Sequence, residues 1–70
     1  MQKSYITMIE NIISAAVNTQ YKEIPPSEEQ FLTLAQNIRD NMAISFPISD
    51  QDFADIILRL RSTLVIQMEV

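Results

Sequence analysis

Apolar residues recur at helical spacing in three separate stretches of the chain. In the first, Tyr5, Ile9, Ile12 and Ala16 follow the i, i+4, i+7, i+11 pattern of one helical face. Ile6, Ile13 and Val17 line one flank of that face, and Met8 and Ala15 the other. Thr7, Glu10, Asn11, Ser14 and Asn18 leave only a narrow polar strip. The pattern predicts a helix over about 4–18, with Asn18 as a left-handed cap.

The second stretch follows Pro25-Pro26, whose rings disfavour helix in the residue before each of them. Ser27 is a good N-cap and Gln30 completes a capping box. Glu28 and Glu29 fall in the first turn, where the helix dipole favours negative charge. Phe31, Leu34, Ala35, Ile38 and Met42 form an apolar stripe, so a helix is expected over about 28–43. The third stretch follows Pro47. Ser49 caps it, Asp52 is expected to close a second capping box, and Ile48 is placed to staple onto Phe53. Phe53, Ile57, Leu60 and Leu64, with Ile56 beside them, give a helix over about 50–68.

The segment Pro25-Pro26-Ser27-Glu28-Glu29-Gln30-Phe31 echoes Pro47-Ile48-Ser49-Asp50-Gln51-Asp52-Phe53. Capping explains both, since each places an N-cap serine before the first core aromatic. Repeat solenoids use longer periods and at least three units. Short linkers favour antiparallel neighbours. The expected fold is therefore all-α, a small three-helix up-down-up bundle forming a single domain over 1–70.

Composition removes most chemistry. The 70 residues hold no His, no Cys and no Gly. Imidazole bases, thiolates and zinc sites of the usual N/S kind are excluded. Glycine loops that cradle phosphates are excluded too, although about five glycines would be average for this length. Glu28, Glu29, Asp50, Asp52 and Asp55 gather near helix N-termini, where capping and dipole effects account for them. They lack the spacing and mid-loop Gly of a calcium loop. No catalytic, cofactor-binding or metal-binding residues are assigned, and the chain is read as a non-enzyme.

The net charge of −4 disfavours nucleic acid and anionic membranes. Arg39, Arg59 and Arg61 raise the idea of a helix-turn-helix. The N-terminal turn of the third helix carries Asp50, Asp52 and Asp55, however, where a recognition helix meets DNA. These arginines are read instead as rim contacts to a partner or as solvated residues. Glu10 and Asn11 interrupt the early apolar run, so no signal peptide is expected. No run reaches the length of a membrane span. A cytoplasmic location is expected.

What stands out is surplus apolar surface. A domain this short buries only about 60% of its unfolded surface and often needs a partner. On a helix reaching Met68, Ala54, Leu58 and Val65 form a second stripe, and Ile66 lies nearly opposite the core. The end of the chain has no Gly, Pro or basic last turn. It is read as the N-terminal domain of a longer protein. Met8 and Met42 are expected in the core, and Met68 on a contact surface. The expected function is a non-catalytic protein–protein interaction or oligomerisation module. The first helix, apolar over more than half its circumference, and the third supply the expected contact face, with Leu58, Val65, Ile66 and Met68 as the expected interface residues and charged residues at its rim setting specificity. The alternative is a small acidic inhibitor that presents carboxylates, in imitation of nucleic acid, to a basic partner protein.

Overall fold

A computed structural model describes residues 4–66. Three helices follow one another: α1 (Ser4–Gln20), α2 (Glu28–Met42) and α3 (Asp50–Thr63). No strand occurs among the described residues. The expected three-helix bundle is what the chain forms. Of the three, α1 is the helix that packs substantially on both of the others.

Ile9, Ile13 and Val17 of α1 are buried and form its inward edge. They meet Phe31 and Ala35 of α2 and Ile56, Ile57 and Leu60 of α3 in one cluster. Leu34, Ile38, Met42, Phe53 and Leu64 pack around it, half-buried. The inward edge of α1 is thus rotated from the one the pattern centred on. Ile12 and Met8 lie at the rim, 37% and 36% exposed, and Met8 does not join the core as expected. A helix apolar over most of its circumference leaves several equivalent inward edges. The positions of α2 and α3 choose among them.

Both N-cap serines take the extended backbone of a cap and accept from the amide three residues on. Ser27 is extended at φ −70°, ψ 166°, and its hydroxyl accepts from the Gln30 amide at 3.1 Å. The Gln30 side chain accepts from the Ser27 amide at 2.9 Å, closing the box. Pro26, just before the cap, is fully buried, as is Phe31 four residues after it, which is the staple arrangement. Ser49 repeats the cap with the Asp52 amide at 3.1 Å. Ile48 is buried there and Phe53 half-buried against the same cluster. Ser27→Ala is expected to cost about 1 kcal/mol. That corresponds to a fall in melting temperature of about 4–8 °C for a domain of this size, readable by circular dichroism. A melt unchanged within error would contradict the role given to this cap.

The helix ends differ from expectation in three places. α1 runs to Gln20, and no described residue has a positive φ, so Asn18 is not a left-handed cap. α2 stops at Met42 with Ala43 as its C-cap. α3 stops at Thr63, because Leu64 is extended at φ −91°, ψ 153°. Here the stop is Ser62-Thr63 followed by β-branched Val65 and Ile66. The two hydroxyls bond back to the carbonyls of Leu58 at 3.3 Å and Arg59 at 2.9 Å, which weakens a last helical turn. β-Branched residues then favour extended backbone. The shorter helix also has a basic last turn, supplied by Arg61. Residues 67–70, and the expected contact at Met68 with them, lie outside the described part of the chain.

Candidate interaction surface

Leu58 sits on the outer side of α3 and is 62% exposed. Ala54, one turn earlier on the same side, is exposed as well. Val65 is 77% exposed, two residues after the end of the helix. Ile66 behaves differently. It was placed opposite the core on the assumption of a helix continuing to Met68. With the helix ended at Thr63 and Leu64 extended, Ile66 instead packs half-buried against the core cluster. The sequence-derived surface therefore reduces, among the described residues, to Leu58 and Val65 with Ala54 beside them.

A second surface lies on α1, which the sequence names as a contributor to the contact face without fixing its outward residues. Thr7, Met8, Asn11, Ile12, Ala15, Asn18 and Thr19 are all exposed on α1. At 100° per residue they share the outward side of the helix. None is charged, and Glu10 is the single charged residue of α1. Helical projection could have found this face, had the inward edge been known. It continues past Tyr5, whose hydroxyl donates to the Pro47 carbonyl at 2.7 Å. The Tyr5 ring packs on Phe46, centroids 5.5 Å apart and tilted by 51°. The α2–α3 connection held in this way carries no charge from 41 to 49 and exposes Ile44 almost completely, at 96%.

The arginines also make contacts within the chain. Each ties two parts of the fold together. Arg59 of α3 reaches Glu10 of α1, with its Nε at 3.0 Å and its Nη2 at 2.7 Å from one carboxylate oxygen. That hydrogen bond holds the guanidinium above its usual value. A raised value means that its contribution is complete below the ordinary arginine range and is lost only in stronger alkali. Arg61 of α3 meets Glu28 of α2 at 2.6 Å. Arg39 of α2 donates to the Ile48 carbonyl at 2.9 Å and to Asp50 at 2.8 Å. Its guanidinium also lies 4.9 Å from the centroid of the Phe53 ring. These internal contacts stand beside the expected roles in partner contact or solvation, since Arg59 and Arg61 remain exposed. Separations such as the 49 residues between Glu10 and Arg59 leave no trace in local spacing.

These ties also commit carboxylates. Glu10, Glu28 and Asp50 face the chain's own arginines, which reduces the negative charge free to meet a basic partner. No group of three or more acidic residues among those described could hold a metal ion. Open grooves converge on the α1–α2 connection, where Tyr21 lines each of three neighbouring depressions. One of them runs along Ser14, Val17 and Asn18 to Leu64 and Val65. No described helix is long and apolar enough to cross a membrane. No protein-family profile matches the chain, and neither a curated protein nor a solved structure shows a match to it.

Proposed function

We propose that this chain is a non-catalytic, cytoplasmic module that works by protein–protein contact or oligomerisation through apolar helix faces. The observation that carries this reading is a core that closes without Leu58, Val65, Ile12 or Ile44. Single exposed apolar side chains are ordinary on any protein. Ile12 lies on a helix with one charged residue and Ile44 on a connection with none, while Leu58 sits between Asp55 and Arg61, and all three arginines are held in contacts within the chain. Burial of such surface is the means of association.

Leu58→Asp is expected to keep the helical spectrum and to melt within a few degrees of the unaltered chain, since an exposed position contributes little to the core. Unfolding of this variant would place Leu58 in the core and remove it from the contact surface. Salt separates apolar association from the acidic-inhibitor mechanism. Light scattering at about 0.1 M and 1 M salt should show association that persists, because surface charge is screened within about 3 Å at the higher value. Association that vanishes in 1 M salt would contradict the apolar reading.

A further inference from the structure

We infer that two copies of the chain exchange α1, so that α1 of each copy packs on α2 and α3 of the other. The inference goes beyond the functional reading above, because it uses the buried edge of α1 and not the exposed side chains. What covers that edge is already settled within one copy: Ile9, Ile13 and Val17 share one cluster with Phe31 of α2 and Ile56 and Leu60 of α3. A second copy offers the same groove in the same arrangement. The partner is therefore another copy of this chain, and each contact occurs twice in the exchanged dimer.

The fold places the exchange at α1. The other two helices hold together without it. Arg39 of α2 donates to the Ile48 carbonyl and to Asp50 at the start of α3, and Arg61 of α3 meets Glu28 of α2. An α1 that leaves its own groove uncovers apolar side chains along a helix with one charge in 17 residues, so it docks on another groove and not in water. The connection between α1 and α2 allows the departure. Lys22, Glu23 and Ile24 are exposed, Ile24 at 69%. Among the described residues these three make no backbone hydrogen bond. The chain bends at 22–24 to close on itself. Pro25 and Pro26 press the residue before each of them toward extended backbone. Straightening the connection thus breaks no hydrogen bond, and the prolines favour it.

Concentration decides between the two forms. The exchanged dimer keeps the helix contacts of the closed chain, including the Tyr5 hydroxyl on the Pro47 carbonyl and Glu10 on Arg59. The closed chain has one advantage, the local concentration that a short connection gives α1 beside its own groove, in the millimolar range. Exchanged dimer therefore accumulates as the chain approaches that range, from high micromolar concentration upward. α1 must first leave the core, so the two forms interconvert through unfolding.

The Glu10–Arg59 pair reports which α3 each α1 rests on. In a closed chain, Glu10→Arg sets two cations together and Arg59→Glu two anions. In a mixed dimer with α1 exchanged, every α1 meets an opposite charge again. In a mixed dimer formed through any other surface, both clashes stay. The test unfolds the two variants in urea, separately and as an equimolar mixture, and refolds them by dilution to about 0.5 mM, within the range where exchange competes. Size exclusion separates monomer from dimer, and native mass spectrometry identifies the mixed dimer by its mass. The mixture should hold about tenfold more dimer than either variant alone, nearly all of it mixed, as two repulsive pairs become two attractive ones. Variants that fold only when mixed give the same answer. A mixture that behaves as the separate variants do would overturn the exchange. The unaltered chain under the same treatment then separates the two ideas. If it dimerises, association runs through exposed surface and the functional reading stands; if it stays at 8.0 kDa, self-association falls as well.

Discussion

Phe31→Ala is expected to remove about 3–5 kcal/mol of stability, the usual range for deleting a fully buried aromatic ring. Folded domains carry roughly 0.05–0.15 kcal/mol per residue, so a chain of this size holds about 4–10 kcal/mol in all. The substitution therefore takes up to the whole of it. Phe31 is buried completely and sits at the point where two local devices converge. It is the first core residue after the Ser27 cap, and its position relative to Pro26 fixes the angle at which the chain enters α2. The ring also lies in the cluster that joins α2 to Ile9 and Ile13 of α1. The sequence has no cysteine, so no disulfide offers another constraint. Urea unfolding followed by circular dichroism should show either a midpoint moved far below that of the parent or no transition at all. A loss under about 1 kcal/mol would mean that the bundle does not depend on this cluster.

Arg39→Ala is expected to cost about 2–3 kcal/mol, the second-largest effect. Three contacts contribute, and their magnitudes differ. The hydrogen bond from the guanidinium to the Ile48 carbonyl is charge-assisted and about 1.5–3 kcal/mol. The approach to the Phe53 ring adds about 0.5–1 kcal/mol. The ion pair to Asp50 matters least, because the Asp50 side chain is 98% exposed and such pairs contribute under about 1 kcal/mol. Two consequences follow from that ranking. Most of the loss should survive in 1 M salt, where an exposed ion pair is screened. Arg39→Lys should recover only part of it, because a lysine ammonium lacks the planar fork that serves the carbonyl and the ring together. Full recovery by lysine, or a loss abolished by salt, would reverse the ranking and make the ion pair dominant.

Much of the fold could be read from particular residues. Ser27 with Gln30, and Ser49 before Phe53, fixed the starts of α2 and α3 because capping is local chemistry between residues three or four apart. The stripe Phe31, Ala35, Ile38 and Met42 was equally legible, since α2 has a single apolar edge. α1 was ambiguous for the opposite reason. With one charge in 17 residues, its pattern did not say which edge turns inward, and so Met8 and Ile12 were set too deep. The end of α3 was hidden by the search for Gly or Pro. The signal lay in Ser62-Thr63 and the β-branched pair after them, and missing it put Ile66 on the wrong side. The arginine contacts were out of reach of any local argument. They depend on how three helices pack, which brings Arg59 to Glu10 and Arg61 to Glu28.

Those same contacts bear on the function. With the arginines engaged within the chain, an uncharged helix face and a few exposed apolar side chains remain as the surface for association. The most direct measurement is sedimentation equilibrium of the unaltered chain over a wide concentration range, up to about 1 mM. The account predicts a mass that rises from 8.0 kDa toward twice that value at high micromolar concentration. A mass that stays at 8.0 kDa throughout would require a dissociation constant weaker than about 1 mM, a standard binding free energy smaller than about 4 kcal/mol in magnitude. That result would contradict self-association, whether through exposed surface or through exchange of α1.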